Sequence, residues 1–229
     1  MDGMGRRRKI MYYLIDEAET KPYRSACARI LTETRDILAE KGITTQFVLV
    51  GSGGRNLVTR NGDGPYDLDY NLEVLSADDE YWHDLHKLKE TARNALNKSV
   101  GSEDFSDAQD STSVLTSIRY FTNRPQVKFK VDVAITTRNE NGTLMRLIHN
   151  KNMIYFGNVG QYTWNEVPNS HNVLAKSKRI KSSGADKWLE VRQKYVDLKN
   201  MYLQRRDYNH PSFIVYVEAV NTIYNKYFH

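Results

Sequence analysis

A single cysteine, Cys27, is present among 229 residues. No internal disulfide can form, which fits a reducing compartment. Long apolar runs are missing too: none approaches the ~20 residues that cross a bilayer. The N-terminal MDGMGRRRKI is basic, but the apolar stretch that follows, Ile10 to Ile15, is short, holds two tyrosines and runs into acids. It does not read as a secretory signal. The expectation is a cytoplasmic protein with no membrane partner. There is no internal repeat and no low-complexity linker. With 40% hydrophobic and 27% charged residues, the chain is not of disordered composition and can bury a proper core. A net charge of +5 favours anionic partners, nucleotides and nucleic acids among them, without choosing between them. Part of that charge is Arg6, Arg7, Arg8 and Lys9, read as a solvated terminus.

Residues around 22–41 have the spacing of an amphipathic helix, with Ala26, Ile30, Thr34, Ile37 and Leu38 on one side. Gly42 is its natural stop. The run from Thr45 to Val50 is of strand type and ends at Gly51-Ser52-Gly53-Gly54. After the polar turn around Gly62 and Gly64, the segment from Tyr66 to Leu75 alternates, so Asp67, Asp69 and Asn71 share one face of a strand. Ser76 followed by Asp79 resembles a capping box. The helix it opens should turn Tyr81, Leu85, Leu88, Ala92 and Leu96 inward. Residues 101–113 read as a surface loop. Two strands follow, near 114–121 and 127–136. In the second, Lys128, Lys130 and Asp132 face one way and Phe129, Val131, Val133 and Ile135 the other. After about 172 the pattern turns helical. The expected fold class is α+β. Residues 1–150 form a mixed-sheet core with N-terminal helices, and 151–229 a helical part packed on it.

Three features stand in order: a strand ending in Gly51-Ser52, then Asp67-Leu68-Asp69 on a strand, then Asp132 on a later strand. Their shared logic is phosphoryl transfer. Two divalent ions roughly 3.5–4 Å apart can clamp the attacking and the leaving oxygens. Magnesium takes hard oxygen ligands. Carboxylates two residues apart on a strand point the same way and can share an ion. A third on a neighbouring strand completes the coordination of the second ion and can draw a proton from an acceptor hydroxyl. Small residues at Gly51 and Ser52 let backbone amides approach phosphate. Arg55, Lys128 and Lys130 are the cations placed to pair with it. Taken singly, each feature has a bland reading: a solvated acidic strand face, an aspartate paired with a neighbouring lysine, an ordinary turn hydroxyl. The ordered set is far more specific than its parts.

In Val48-Leu49-Val50-Gly51-Ser52, Asp67-Leu68-Asp69 and Val131-Asp132-Val133, the chain resembles the polymerase-beta-like nucleotidyltransferase superfamily. The resemblance covers roughly residues 45–136. It implies a nucleotidyltransferase-type mixed sheet flanked by helices, with Mg²⁺ (or Mn²⁺) on Asp67, Asp69 and Asp132. It implies transfer of a nucleoside monophosphate from an NTP, ATP favoured, to a hydroxyl acceptor, with release of pyrophosphate. Gly51 and Ser52 correspond to the phosphate-contacting pair. The long gap between Ser52 and Asp67 is similar to the branch of cyclic-oligonucleotide synthases and poly(A) polymerases, although this chain is small for the synthases. The acceptor stays open: a nucleotide, an RNA end, a protein side chain or a small molecule. The alternative function is a non-catalytic nucleotide- or RNA-binding module on the same fold.

Three other features carry bland readings. His83 and His86 lack a third metal ligand and read as a solvent-facing pair. The Trp188–Tyr202 stripe reads as helix core. The run from Lys176 to Lys181 reads as a solvated helix face rather than an RNA contact.

Overall fold

A computed structural model describes residues 11–121, 124–155, 158–168, 171–207 and 209–228. The basic run Arg6–Lys9 lies outside them. In chain order the elements are β1 (Tyr12–Leu14), α1 (Glu17–Ala39), β2 (Ile43–Leu49), the single turn α2 (Gly51–Gly54), β3 (Thr59–Asn61), β4 (Tyr66–Ala77), α3 (Asp79–His83) and α4 (Leu85–Val100). Then come β5 (Gln109–Asp110), β6 (Leu115–Phe121), β7 (Arg124–Arg138), β8 (Leu144–Tyr155), β9 (Asn158–Glu166), α5 (His171–Ser182), α6 (Ala185–Gln204) and α7 (Ser212–Phe228). They divide into two compact units. One comprises Asp16–Val58 and Pro65–Asn169; the other comprises Met1–Ile15, Thr59–Gly64 and Ser170–His229.

The larger unit is built on a seven-stranded mixed sheet of order β2-β4-β7-β6-β5, with β8 and β9 continuing from the far end of β7. Strands β4 and β7 run parallel without a register break from Tyr66↔Phe129 to Glu73↔Thr136. That register puts Asp69 directly beside Asp132. Strict alternation holds from Tyr66 to Tyr70; beyond it both faces of β4 are buried as far as Val74. Around β4 and β7 the helix-covered face is apolar. Phe129 stacks on Tyr23 of α1 at 4.7 Å between ring centroids and meets Tyr66 edge-on at 5.2 Å. Leu68, Leu72, Val131, Val133 and Ile135 extend this core, and Cys27, Ile30, Leu88 and Leu96 close it from α1 and α4.

Helix α1 begins five residues before its expected start. Asp16 caps it by accepting from the Ala18 N–H at 3.0 Å, and Glu17 and Glu19 favour the positive end of the helix. Pro22 therefore lies inside the helix, one turn in. At the other end Gly42 takes φ +74°, where a Cβ would lie 2.3 Å from an Asp78 carboxyl oxygen. The expected capping box is not formed. Strand β4 runs on through Ser76 to Ala77, and Asp78, at the N-cap of α3, makes no side-chain cap. The working cap is Asp84, which accepts from the Lys87 N–H at 2.9 Å and opens α4. Helix α4 buries Leu88, Ala92 and Leu96, while Leu85 is half-buried.

Between 137 and 172 the sequence carries no clear signal, and here the structure places the β8–β9 hairpin. A boundary at residue 150 falls inside β8; the compact unit ends at Asn169. The smaller unit joins α5, α6 and α7 to the two-stranded ladder of β1 and β3. Asn200 of α6 ties that ladder down, accepting from the Tyr12 N–H and donating to its carbonyl at 2.7 and 2.9 Å. Within the Trp188–Tyr202 stripe, Val191, Tyr195 and Leu198 are buried, as expected of helix core.

Candidate active site

Asp67 and Asp69 leave β4 on the face away from α1 and α4, and Asp132 leaves β7 on the same face. Cross-strand partners share a face, and Asp69 and Asp132 are such partners. One carboxyl oxygen from each of the three lies within 4.8 Å of the others. Asp67 is exposed; Asp69 and Asp132 are half-buried. Like charges this close oppose ionisation. Burial pushes the Asp69 carboxyl up to about 6, with Asp67 and Asp132 adding to the rise and Arg146 and Arg55 working against it. Burial also raises Asp132, opposed by a hydrogen bond from Thr116 and the charge of Lys130, and reinforced by Asp67. The Thr116 hydroxyl donates to Asp132 Oδ1 at 2.5 Å. Thr116 stands on β6 directly opposite Asp132, so it fixes one carboxyl oxygen and leaves the other for a ligand.

The glycine turn abuts this group. Val50 donates its N–H to the Asp69 carbonyl at 2.9 Å, which brings the end of β2 beside the acids. Gly51 has φ +60°, and a Cβ there would stand 2.1 Å from Asp69 Oδ2. Any other residue at 51 would combine backbone strain with a collision against the carboxylate. In a one-turn helix such as α2, the first N–H groups are not consumed by the helix itself. Two arginines hold the carbonyl side of this turn: Arg55 Nη1 donates to Gly51 O at 2.8 Å, and Arg24 Nη2 to Gly53 O at 3.2 Å. These contacts fix the turn against the arginines on its carbonyl side.

The structure thus gathers Asp67, Asp69, Asp132, Gly51, Ser52 and Arg55 in one place, with Lys130 acting on Asp132. Lys128 is engaged elsewhere. It lies four residues from Asp132, roughly 13 Å along the strand, and its ammonium sits 5.6 and 5.5 Å from the ring centroids of Tyr23 and Phe121. Sequence reasoning missed Thr116, Arg24 and Arg146. Each is an ordinary residue in its own segment, brought near only by pairing between strands or packing of a helix. His83 and His86 are exposed, as expected. Lys176 hydrogen-bonds Asn221 at 2.6 Å, and Arg179 lies over the ring of Phe228 at 4.6 Å. This part of the basic run is held against α7.

Three converging carboxylates, two of them half-buried and resisting ionisation, are a hard-oxygen donor set that a divalent cation would complete. No helix among the described residues is long and apolar enough to cross a membrane.

This architecture, a mixed sheet bearing the acids with helices behind it, is the fold of the polymerase-beta-like nucleotidyltransferases. In fold the chain is similar to solved cGAS/DncV-like structures. Vibrio cholerae DncV, a cyclic AMP-GMP synthase described as a prokaryotic cGAS homolog, superposes with a TM-score of 0.61 at 11% identity, over 92% of this chain and 68% of that one. The 3'-deoxy GTP-bound form of DncV gives 0.60 at 10% identity, over 92% and 67%. E. coli CdnC with ATP gives 0.56 at 13% identity, over 94% and 62%. The chain thus spans about two thirds of the length of these proteins. Its sequence matches no protein-family model and no curated protein.

Proposed function

We propose that this protein is a divalent-metal-dependent nucleotidyltransferase that moves a nucleoside monophosphate from an NTP to a hydroxyl acceptor and releases pyrophosphate. The observation that carries the reading is the convergence of Asp67, Asp69 and Asp132 within 4.8 Å, beside a glycine turn that a Cβ would drive into Asp69. Structural neighbours solved with GTP or ATP support the choice of an NTP as donor. Magnesium, or manganese in its place, would be held by the three carboxylates and would neutralise the triphosphate and the departing pyrophosphate.

The chain's own residues do the rest. The amides of Gly51 and Ser52 seat the β- and γ-phosphates, with the Ser52 hydroxyl adding one donor. Arg55 and Lys130 lend positive charge at the edge of the site. Asp132 accepts the proton of the acceptor hydroxyl, whose oxygen attacks the α-phosphorus as the bond to pyrophosphate breaks. ATP is the favoured donor.

The test is transfer of label from an α-labelled NTP, with each of the four bases, in Mg²⁺ or Mn²⁺. Labelled product and pyrophosphate are expected from the wild type and from neither Asp67→Ala nor Asp132→Ala. A wild-type protein that binds no NTP, with Asp67→Ala indistinguishable from it, overturns the reading.

A further inference from the structure

The glycine turn has little of its own to hold it in shape. Three of the four residues of α2 are glycine, so its side chains supply almost no stiffness. Its internal backbone bonds are local: Gly54 N–H to the Val50 carbonyl at 3.0 Å, and Leu57 N–H to the Ser52 carbonyl at 2.8 Å. Arg55, which bonds the Gly51 carbonyl, follows the turn directly and moves with it. The turn is tied to other elements at its two ends. At the start, the Val50 N–H is held by the Asp69 carbonyl at 2.9 Å. At the far end, Nη2 of Arg24 donates to the Gly53 carbonyl at 3.2 Å, and Arg24 belongs to α1.

The root of Arg24 is fixed. Its neighbour Tyr23 stacks on Phe129 at 4.7 Å and meets Tyr66 edge-on at 5.7 Å. Ala26 and Cys27, just beyond, are buried. Phe129 lies on β7, on the strand of Asp132, and Tyr66 stands immediately before Asp67 on β4. One residue away from Arg24, then, α1 is packed onto the two strands that carry the acids. Arg24 bridges from that fixed point to the end of a turn that has no stiffness of its own.

We propose that Arg24 is a positioning residue. It sets where the glycine turn stands relative to Asp67, Asp69 and Asp132, and through the turn it governs the hold on the donor's triphosphate. It touches neither the nucleotide nor a metal. This rests on the transferase reading, in which the turn seats the β- and γ-phosphates. A triphosphate held at one end by the turn and at the other by cations on the acids must span a set distance, and a drift of about 1 Å in such a seat is costly. A guanidinium suits the task. It stays charged at every working pH, and its planar fork is ordered before it bonds.

The test uses the full chain with Mn²⁺. A non-hydrolysable NTP of each base and the matching nucleoside 5′-monophosphate are titrated in by calorimetry. The ratio of the two affinities reads the hold on the β- and γ-phosphates. Mn²⁺ is also titrated into the nucleotide-free protein. Arg24→Ala should cut the ratio about tenfold, the lower end for loss of a hydrogen bond from a charged group. It should leave the affinities for the monophosphate and for Mn²⁺ alone unchanged. Arg24→Lys, with one compact donor on a flexible stem, should keep part of the ratio. A ratio that Arg24→Ala leaves intact overturns the inference. So does a loss shared equally by the NTP analogue, the monophosphate and Mn²⁺, which would make Arg24 a prop for the whole fold. A lysine variant no better than alanine overturns it too, since the donated hydrogen bond would then be irrelevant. Failure of the transferase reading is separately visible: the wild type would bind the NTP analogue no better than the monophosphate.

Discussion

Two clusters of charged side chains lie on opposite faces of the same sheet, and they are built on opposite rules. On the helix-covered face, Lys89 of α4 is almost wholly buried, yet its ammonium meets Asp110 Oδ1 at 2.5 Å and donates to the Ser111 carbonyl at 3.0 Å. His149 closes the group, with Nδ1 2.8 Å from Asp110 Oδ2 and its ring stacked on Tyr162 at 4.2 Å. Burial alone would raise the Asp110 carboxyl. The hydrogen bonds from Lys89 and His149 outweigh it and hold the group below its ordinary value. On the other face Asp67, Asp69 and Asp132 meet chiefly one another, and Asp69 is pushed up to about 6. A charge matched inside the chain serves the fold. A charge left in surplus is a cost to the fold that a bound cation would relieve.

The comparison breaks first at activity. Asp67→Ala and Asp132→Ala should each lower NTP transfer about a thousandfold, since a divalent ion supplies several kcal/mol of charge stabilisation and ~1.4 kcal/mol is tenfold in rate. Their thermal midpoints in chelator should not fall below wild type. A loss of both activity and stability would mean that the acids hold the fold together. Lys89→Met should do the reverse. It strands Asp110 and should cost about 3 kcal/mol in urea unfolding, towards the lower end for a broken buried pair. Transfer per folded molecule should be unchanged.

The pH response sharpens the contrast. Asp69 has its folded-state value raised from 3.8 to about 6, so the folded protein keeps a proton that the unfolded chain gives up. Stability of the metal-free protein should therefore fall as pH rises through that window and level off above it, by on the order of 3 kcal/mol. Asp69→Asn should flatten this fall, and Mg²⁺ should reverse it in the wild type only. Asp110 has the opposite sign. Its contribution is present above 3.8 and is lost as pH drops below that value. Denaturant midpoints taken from pH 3.5 to 8 in chelator would separate the two; a flat profile between pH 4 and 6 contradicts the surplus-charge account of Asp69.

The surplus cluster was legible in the sequence and the matched one was not, for a physical reason. Asp67 and Asp69 reveal their common face through alternation within one strand, and Gly51-Ser52 and Asp132 each adjoin an apolar strand run. Such signals are local. Lys89, Asp110 and His149 come from three distant segments, and nothing in any one of them announces a pair. The β8–β9 hairpin was hidden similarly: the segment from Leu144 to Tyr155 mixes Arg146, His149, Asn150 and Lys151 among apolar residues and lacks a clear turn signal. Arg146 was therefore out of reach. The start of α1 was misplaced because its cap, Asp16, lies upstream of Pro22. Ser76 looked like a cap because the continuation of β4 through Ala77 depends on pairing with β2, where Thr44 meets Ser76.

The finest expected effect concerns a residue that touches only one acid. Thr116→Val keeps the shape of the side chain and removes the hydroxyl that donates to Asp132 Oδ1 at 2.5 Å. That hydrogen bond holds the Asp132 carboxyl down against burial and Asp67, so its loss should raise the carboxyl further. Two consequences follow in opposite arms of the same experiment. Transfer should fall about tenfold at pH 7, the worth of one hydrogen bond to a charged group. The pH at which Mn²⁺ half-saturates the protein should move upward, because the ion competes with a proton held more tightly. Thr116→Ser, which retains the hydroxyl, should restore both. If the valine variant lowers transfer without moving the pH of metal binding, Thr116 acts by packing β6 against β7, and the fixed oxygen of Asp132 is not what readies the site for its cation.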